Sequence, residues 1–389
     1  MAQAGTFRRT PVRPTMATLF TLVFALGGWR SGLGAISDNS FLWHLQTGRQ
    51  ILEDGIPRAD PYSFTAPGVR WVAQSWLAEL VYGLLDRLGG VLGVRLLTAA
   101  IGAAVATACY RLALRLAGDR VRAAGVTLAA VGTSFTLWSP RPLFFGVLAF
   151  VCLLWVVEVP DSRLGRRPLL AVPVLMWLWA NAHGTFALGF VYLGLHLAGR
   201  WLDGHRPWEG REAVLLKAAV VALAVCLINP YGPGLLLFPL ELLGRGDVLR
   251  DVIEWGSPSF RSVQGLMLAG WILVFAVIVA RAGVQPSRRD LLVTIPFLLL
   301  ALWALRNIAL APLVGLPVVA RLVATPADRP DTPGLIQRLV VVLLVALALL
   351  WTVDATRGPD LDLDRYPVEA LAFMEDEGLL GKRLMTDDG

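Results

Sequence analysis

The chain has 389 residues, of which 56% are hydrophobic and only 16% are charged, and its mean hydropathy is +0.62. Soluble domains carry about 25% charged residues, so this composition excludes an ordinary soluble protein and indicates a membrane protein. The net charge is +6, but the arginines lie in short clusters between apolar segments, as in loops that face anionic lipid. We therefore expect no nucleic-acid partner.

Apolar segments long enough to cross a bilayer follow one another along nearly the whole chain. We interpret eleven of them as membrane-spanning helices, at about 15–32, 91–112, 125–138, 143–157, 169–180, 185–198, 213–228, 263–279, 291–305, 308–320 and 339–353. Residues 74–88 have an apolar stripe at helical spacing but carry Glu79, Asp86 and Arg87, so we expect an amphipathic helix on the outer membrane surface. The predicted fold class is therefore all-α and integral to the membrane.

The distribution of basic residues predicts the orientation of these segments. Arg8, Arg9 and Arg13 precede the first one, and every short loop on their side carries at least two arginines or lysines, whereas short turns on the other side carry at most one. This asymmetry places the N-terminus in the cytoplasm and 354–389 outside. We expect the inner arginines to be ordinary solvated clusters, 1–353 to form one transmembrane domain, and 37–90 to be its first extracytoplasmic loop.

Cysteine chemistry is not indicated. Cys109, Cys152 and Cys226 lie inside apolar segments without paired spacing, which favours neither a disulfide framework nor a zinc site. Most of the unusual polar residues instead fall on the predicted outer side: Asp38, His44, Asp60, Arg141, Asn181, His183, Asn229, Tyr231, Glu254 and Arg306. Because ionisable residues at membrane depth are costly and tend to mark substrate or ion pathways, we predict a site there.

The first outer loop supplies three candidates. Asp38 follows the first segment, where a carboxylate can act as a general base, or can instead cap a helix that begins near Phe41. His44 lies on that helix and is either a phosphate or sugar contact or a structural hydrogen-bonding residue. Asp60 precedes a proline, so an Asx turn is the alternative to substrate contact or metal ligation.

The later outer turns supply the cationic candidates. Arg141 lies between two prolines, and Arg306 lies between two apolar segments with almost no loop. The arginine fork suits phosphate, although snorkelling to the interface is the alternative for both residues. His183 is followed by Gly184 and is either a ligand contact or a packed turn residue.

Three short motifs complete the predicted site. Asn229 and Tyr231 belong to the sequence NPYG, which also reads as a simple helix terminator. Asn181 lies in WANAHG beside His183, and Glu254 with Trp255 predicts part of a platform for a saccharide.

An ordered set of these motifs resembles the GT-C superfamily of polyprenyl-phosphate-dependent glycosyltransferases. The resemblance is to bacterial relatives of the dolichyl-phosphate-mannose–protein mannosyltransferases, and it covers about 34–311. It rests on D-x-x-x-x-W-H-L-x-x-G at 38–48, DPYSFT, Trp71, RP at Arg141, WANAHG at 179–184, NPYG at 229–232 and RN at Arg306.

The resemblance implies an enzyme of the bacterial inner membrane and cell envelope that takes a hexose or pentose from a polyprenyl-phosphate sugar donor. Transfer to a glycan, lipid or protein acceptor would occur with inversion. Asp38 would be the base, and Arg141, His183 and Arg306 would hold the lipid phosphate. Many relatives have a second acidic residue where this chain has Asn39, so a requirement for a divalent cation, Mg or Mn, stays open. Relatives usually continue into a larger outer domain, of which 354–389 would be the start.

Two other classes of protein are compatible with the sequence. A transporter or flippase of lipid-linked saccharide would also use outer arginines, but we find neither an internal repeat nor paired broken helices near mid-membrane. A non-catalytic membrane assembly subunit predicts that Asp38 is replaceable without loss.

Overall fold

The computed structural model describes residues 14–65, 67–244, 246–249, 252–326 and 334–382. The arginines at the N-terminus, most of the basic loop before residue 334 and the last seven residues lie outside the described residues. The helices are α1 (Met16–Gly32), α2 (Ser40–Asp54), α3 (Trp76–Ala117), α4 (Arg120–Phe135), α5 (Leu143–Glu158), α6 (Pro168–Ala182), α7 (Phe186–Leu202), α8 (Gly210–Val225), α9 (Pro233–Leu243), α10 (Gly246–Leu249), α11 (Val263–Arg281), α12 (Arg288–Trp303), α13 (Ala311–Leu322), α14 (Leu335–Arg357) and α15 (Val368–Asp376).

The predicted all-helical class is confirmed. Every predicted apolar segment contains a helix, and the described residues form two isolated β-bridges and no strand. Four helical stretches are long and apolar enough to cross a membrane: Trp76–Ala117, Val263–Arg281, Leu305–Leu322 and Leu335–Arg357. Most of the apolar surface of α14 is exposed, as expected for a helix in lipid. Membrane character is thus supported, while eleven crossings and their orientation stay predictions.

Helix α3 joins two elements that the sequence predicted separately. The predicted surface helix continues into the second apolar segment through a kink at Gly89 and Gly90, where Gly90 has φ of 64°. Leu84 and Leu88 of the predicted apolar stripe are exposed, as residues that contact lipid would be. The face with Glu79 and Gly83 packs on α2, since a Cβ on Gly48 would lie 2.1 Å from the carbonyl oxygen of Glu79. The sequence analysis did not predict that this polar side of the helix is buried in the protein.

Helix α1 packs on α3 through a pair of glycines four residues apart. A Cβ on Gly28 would lie 2.2 Å from the carbonyl oxygen of Gly102, and one on Gly32 would lie 2.1 Å from the backbone nitrogen of Ala99. Small residues at this spacing let two helix backbones approach closely, as in membrane helix pairs.

We expect Gly28→Ala to destabilise the protein by about 1–3 kcal/mol, because the added methyl group has to push backbone atoms apart. Thermal unfolding of the detergent-purified protein, followed by tryptophan fluorescence, measures the effect. The control is Gly27→Ala, since a Cβ on Gly27 meets no atom within 4 Å. Equal melting temperatures for the two variants would contradict the close α1–α3 contact.

The helices that correspond to predicted membrane segments alternate in direction between two ends of the bundle, whereas α2 and part of α9 lie at one of these ends. We call the end that holds the C-terminus of α1 and the start of α3 the cavity end. The chain after α14 returns to it: Arg95 donates to the carbonyl oxygen of Ala355 at 3.1 Å and pairs with Asp360 at 2.9 Å. The backbone of Ile36 pairs with that of Leu361 in a parallel bridge. The segment after α14 therefore lies against the chain that leads into the first loop.

The opposite end holds a buried network of ionic groups. Its members come from α5, α7, α12 and α13, and they are Glu158, Tyr192, His196, Arg289, Asp290 and Arg321. Arg289 is only 5% exposed and pairs with both Glu158 and Asp290. Arg321 reaches the other oxygen of Glu158 at 2.6 Å. The prediction that the inner arginines are solvated is therefore wrong for Arg289, which helps to hold four helices together.

Candidate functional site

A cavity of about 570 Å³ opens at the cavity end. Its wall combines α2, the loop at 69–75, the start of α3, the turn at Arg141, the turn at His183, part of α9, the segment at 252–254 and the 3-10 helix Leu305–Ala309. These pieces are far apart in the chain and meet because each follows a helix that ends at the same end of the bundle.

Five of the predicted site residues line this one cavity: His44, Arg141, His183, Glu254 and Arg306. The structure therefore brings these five residues, which come from separate loops, into one wall. Whether each of these residues could bind a ligand depends on its contacts.

Arg141 is held between two carboxylates. It forms ion pairs with Asp38 and with Glu254. The other oxygen of Asp38 accepts a hydrogen bond of 3.0 Å from the backbone N–H of Ser40, which corresponds to the capping alternative. Asp38 is not among the residues that line the cavity and contacts its wall through Arg141, so its role as a base stays a prediction. Tyr366, beyond α14, donates to the carbonyl oxygen of Asp38 at 3.1 Å, a contact that the sequence did not predict.

Arg306 has a different environment. Its guanidinium carbon lies 4.6 Å from the centre of the Trp255 ring, a cation–π contact. The backbone N–H of Leu305 donates to the carbonyl oxygen of Gly256 at 2.9 Å and joins the two segments. None of the ion pairs among the described residues includes Arg306. Arg306 and Arg70 are therefore the two cations of the cavity wall without a carboxylate partner among the described residues, and Arg70 is the more exposed of the two.

His44 is buried and hydrogen-bonded within the wall. Its Nδ1 atom lies 2.8 Å from Oε1 of Glu79. Burial, with the nearby positive charge of Arg141, lowers the pKa of His44 to about 3. The imidazole is therefore neutral at physiological pH and acts as a hydrogen-bonding group, not as a cation for phosphate.

His183 presents one defined tautomer. Its Nδ1 atom accepts a hydrogen bond of 3.2 Å from the backbone N–H of Thr185, so the neutral ring carries its proton on Nε2. The hydroxyl of Thr185 is itself held by the Nε1–H of Trp179 at 3.0 Å. His183 is thus both a packed turn residue and part of the cavity wall.

Two predicted site residues serve turns instead of the cavity. Asp60 accepts hydrogen bonds from the backbone N–H groups of Tyr62 and Ser63, which is the Asx-turn alternative. Asn229 accepts from the N–H of Tyr231 and donates to two carbonyl oxygens, and so ends α8. The side chains of Asp60 and Asn229 are occupied locally, since Asx side chains readily bond to nearby backbone.

Two others position the wall without lining it. The Oδ1 atom of Asn181 accepts from Nε1–H of Trp76 at 2.8 Å and so holds the start of α3. The hydroxyl of Tyr231 accepts from the N–H of Ala73 at 3.0 Å and donates to the carbonyl oxygen of Pro57 at 2.9 Å. Tyr231 thereby ties the first loop to the turn after α8.

Among the polar wall residues that the sequence analysis missed as candidates for binding are Trp71, Gln74 and Glu79. Glu79 was assigned to the exposed side of an amphipathic helix, yet it is 1% exposed. A signal was present, because Gly83 lies four residues after Glu79 and marks the same helix face as one of close approach. The signal was overlooked because the larger apolar stripe suggested the opposite face.

The sequence analysis left open whether the protein binds a divalent cation. Among the residues that the structure describes, no group of three or more His, Cys, Asp and Glu side chains is arranged to hold a metal ion. The structure thus adds no ligand set to the open question of Mg or Mn.

Comparisons with known proteins complete the description of the site. None of the protein-family models, curated proteins or solved structures compared with the chain matches it.

Proposed function

We propose that this protein is a membrane glycosyltransferase that moves a sugar from a polyprenyl-phosphate donor to an acceptor hydroxyl at the cavity, on the extracytoplasmic side of a bacterial inner membrane. The observation that carries the proposal is the composition of one cavity wall. It combines Arg306, which has no ion-pair partner among the described residues, with Arg141 and Glu254, which pair with each other. Asp38 lies behind this wall and pairs with Arg141.

These groups suit the two halves of the proposed reaction. An arginine offers a planar set of donors for phosphate oxygens, and its charge can stabilise a leaving phosphate. A carboxylate can take the proton of an attacking hydroxyl. The cavity lies at an end of a bundle whose exposed helix faces are apolar, so a polyprenyl chain could remain in lipid while its head group enters the cavity.

In the proposed step, Asp38 removes the proton of the acceptor hydroxyl. The acceptor oxygen forms a bond to the anomeric carbon while the bond from that carbon to the phosphate oxygen breaks. The electron pair of the broken bond leaves with the polyprenyl phosphate, where Arg306 and Arg141 stabilise the charge. Attack opposite the leaving group inverts the anomeric centre.

The ion pair between Arg141 and Asp38 suggests how donor binding would prepare the base. One carboxylate oxygen of Asp38 accepts from the N–H of Ser40 and the other from Arg141, so both oxygens are occupied. A donor phosphate that competes for Arg141 would separate the pair and free one oxygen of Asp38 for the acceptor hydroxyl. The base would thus become active when the donor is in place.

The direct test uses purified protein in proteoliposomes with undecaprenyl phosphate that carries a radiolabelled sugar, together with a membrane extract as the source of acceptor. We expect radiolabel to move from the lipid to a second product and undecaprenyl phosphate to be released in equal amount. Movement of intact lipid-linked sugar between leaflets without transfer would favour the transporter. Neither activity would favour the assembly subunit.

We expect Arg306→Gln to lower the rate of transfer by about 10²–10³-fold, because removing one group that stabilises developing charge typically costs this much. The control is Arg58→Gln, since Arg58 also lies over an aromatic ring, that of Tyr231, at 5.8 Å, but does not line the cavity. Initial transfer rates at saturating donor measure the effect. Equal rates for the two variants would remove Arg306 from the phosphate site.

A further inference from the structure

Three buried polar atoms in the cavity wall lack a hydrogen-bond partner among the described residues. They are Nε1 of Trp71, Nε2 of Gln74 and Oε2 of Glu79. A buried polar atom without a partner costs about 1–3 kcal/mol, so such atoms are rare in native proteins. Their concentration in one wall indicates groups that are left for a ligand.

A continuous series of contacts connects two of these residues. The Trp71 and Trp43 ring centres are 6.4 Å apart and nearly perpendicular, and those of Trp43 and His44 are 3.6 Å apart. His44 in turn lies 2.8 Å from Oε1 of Glu79, which leaves Oε2 of the same carboxyl group for another partner. The unpartnered atoms of Trp71 and Glu79 therefore belong to one packed unit.

Gln74 follows Trp71 in the same loop and contacts the turn after α6. Its side chain lies against Gly184, where a Cβ would be 3.0 Å from Oε1 of Gln74. Gly184 follows His183, which also lines the cavity. The absence of a side chain at Gly184 thus leaves room for the Gln74 amide to enter the wall.

We propose that Trp71, Gln74 and Glu79 form a subsite for a polyhydroxylated ring, which is the sugar of the donor if the proposed function is correct. A hydroxyl group can donate to the Glu79 carboxyl and accept from the Trp71 and Gln74 N–H groups. The ring of Trp43, which is 40% exposed, adds an aromatic surface of the kind that packs on the C–H face of a sugar. The two parts of the donor head group would thus have separate sites, with its phosphate near Arg306.

The same chemistry argues against an anion in this subsite. An ionised phosphate or carboxylate has no proton to donate to an oxygen of Glu79, whereas a hydroxyl group can both donate and accept a hydrogen bond. A purely apolar ligand would leave all three polar atoms without partners. A neutral ligand with several hydroxyl groups is the class that meets both conditions.

The test compares dissociation constants for two kinds of probe on the protein in lipid nanodiscs. One is bare undecaprenyl phosphate, and the other is undecaprenyl phosphate that carries glucose, galactose, mannose or arabinose. We expect at least one sugar-bearing lipid to bind about tenfold or more tightly than the bare lipid, since two or three hydrogen bonds of ordinary strength give this factor.

Two variants test whether Trp71 and Glu79 cause the preference for the sugar-bearing lipid. Trp71→Phe keeps an aromatic ring and removes the N–H, and Glu79→Gln replaces the unpartnered carboxyl oxygen while keeping the shape. Each should reduce the preference for the sugar-bearing lipid by about threefold or more and leave binding of the bare lipid unchanged. The matched control is Trp271→Phe, because Nε1 of Trp271 is also buried without a partner but lies outside the cavity wall. It should keep the full preference.

The outcomes separate this inference from the function on which it rests. If the bare lipid binds and no sugar in the panel improves binding, or if both variants keep the wild-type preference, the subsite is wrong and the three atoms bind only water. If the wild type binds neither kind of lipid, the proposed donor itself is wrong, and the subsite for its sugar falls with it.

Discussion

Asp38→Asn is expected to lower the rate of sugar transfer by about 10²–10⁴-fold, the range that loss of a general base produces. Donor binding should change little, because Arg306 would still hold the phosphate. The rate of transfer in a single turnover, measured beside the dissociation constant of the donor, distinguishes these two effects. A lower transfer rate with unchanged donor binding would identify Asp38 as the base.

The structure indicates that this substitution removes one interaction of Asp38 and keeps the other. Asparagine keeps the oxygen that accepts the N–H of Ser40, so the start of α2 retains its cap. What it loses is the negative charge that pairs with Arg141. Arg141 still has Glu254 as a partner, so the variant should fold.

The control for Asp38→Asn is Asp54→Asn, which removes a carboxylate from an exposed position at the end of the same helix, α2. It should transfer sugar at the wild-type rate. Unchanged transfer in both variants would exclude Asp38 as the base. The catalytic carboxylate would then have to be sought in the cavity wall itself, where Glu79 and Glu254 lie.

Glu158→Gln is expected to destabilise the protein by about 3–5 kcal/mol, the typical cost of removing one partner from a buried ionic pair. Glu158 binds Arg289 through one oxygen and Arg321 through the other. Without its charge, two arginines would be left with Asp290 as their shared counter-ion. The melting temperature in detergent, calibrated by chemical unfolding, measures the loss.

The control for Glu158→Gln is Glu209→Gln. Glu209 pairs with Arg206 at 3.1 Å, but more than half of each side chain is exposed. Such surface pairs contribute about 0–1 kcal/mol, so the control should unfold near the wild-type temperature. If Glu158→Gln were no less stable than Glu209→Gln, the network would not be holding α5, α12 and α13 together.

The positions of the helices were predicted well because helix formation depends mainly on residues that are close together in the sequence. An apolar stretch such as 263–279 becomes α11 whatever lies beside it, and NPYG ends α8 through the side chain of Asn229 itself. The boundaries were less accurate where an N-cap lay outside the apolar stretch. The side chain of Asp119 caps α4, which begins at Arg120, five residues before the predicted start at residue 125.

Contacts between helices could not be predicted in the same way. The predicted loop at 229–262 contains α9 and α10, and the apolar stripe of 76–88 faces outward. In lipid, a leucine stripe gains little from burial in protein, whereas glycines such as Gly48 and Gly83 allow close backbone packing. The apolar stripe therefore gave no indication that the face with Glu79 and Gly83 packs on α2.

The sequence by itself determined that the protein is an all-helical chain with apolar helices suited to a membrane. It also predicted that ten polar residues lie on one side, and the structure brings His44, Arg141, His183, Glu254 and Arg306 into one cavity wall. Only the tertiary structure decided which charges pair, which polar atoms stay without partners and which residues only support turns. Those properties depend on distances between residues more than a hundred positions apart, such as Arg141 and Glu254 or Glu158 and Arg289, and no local pattern records them.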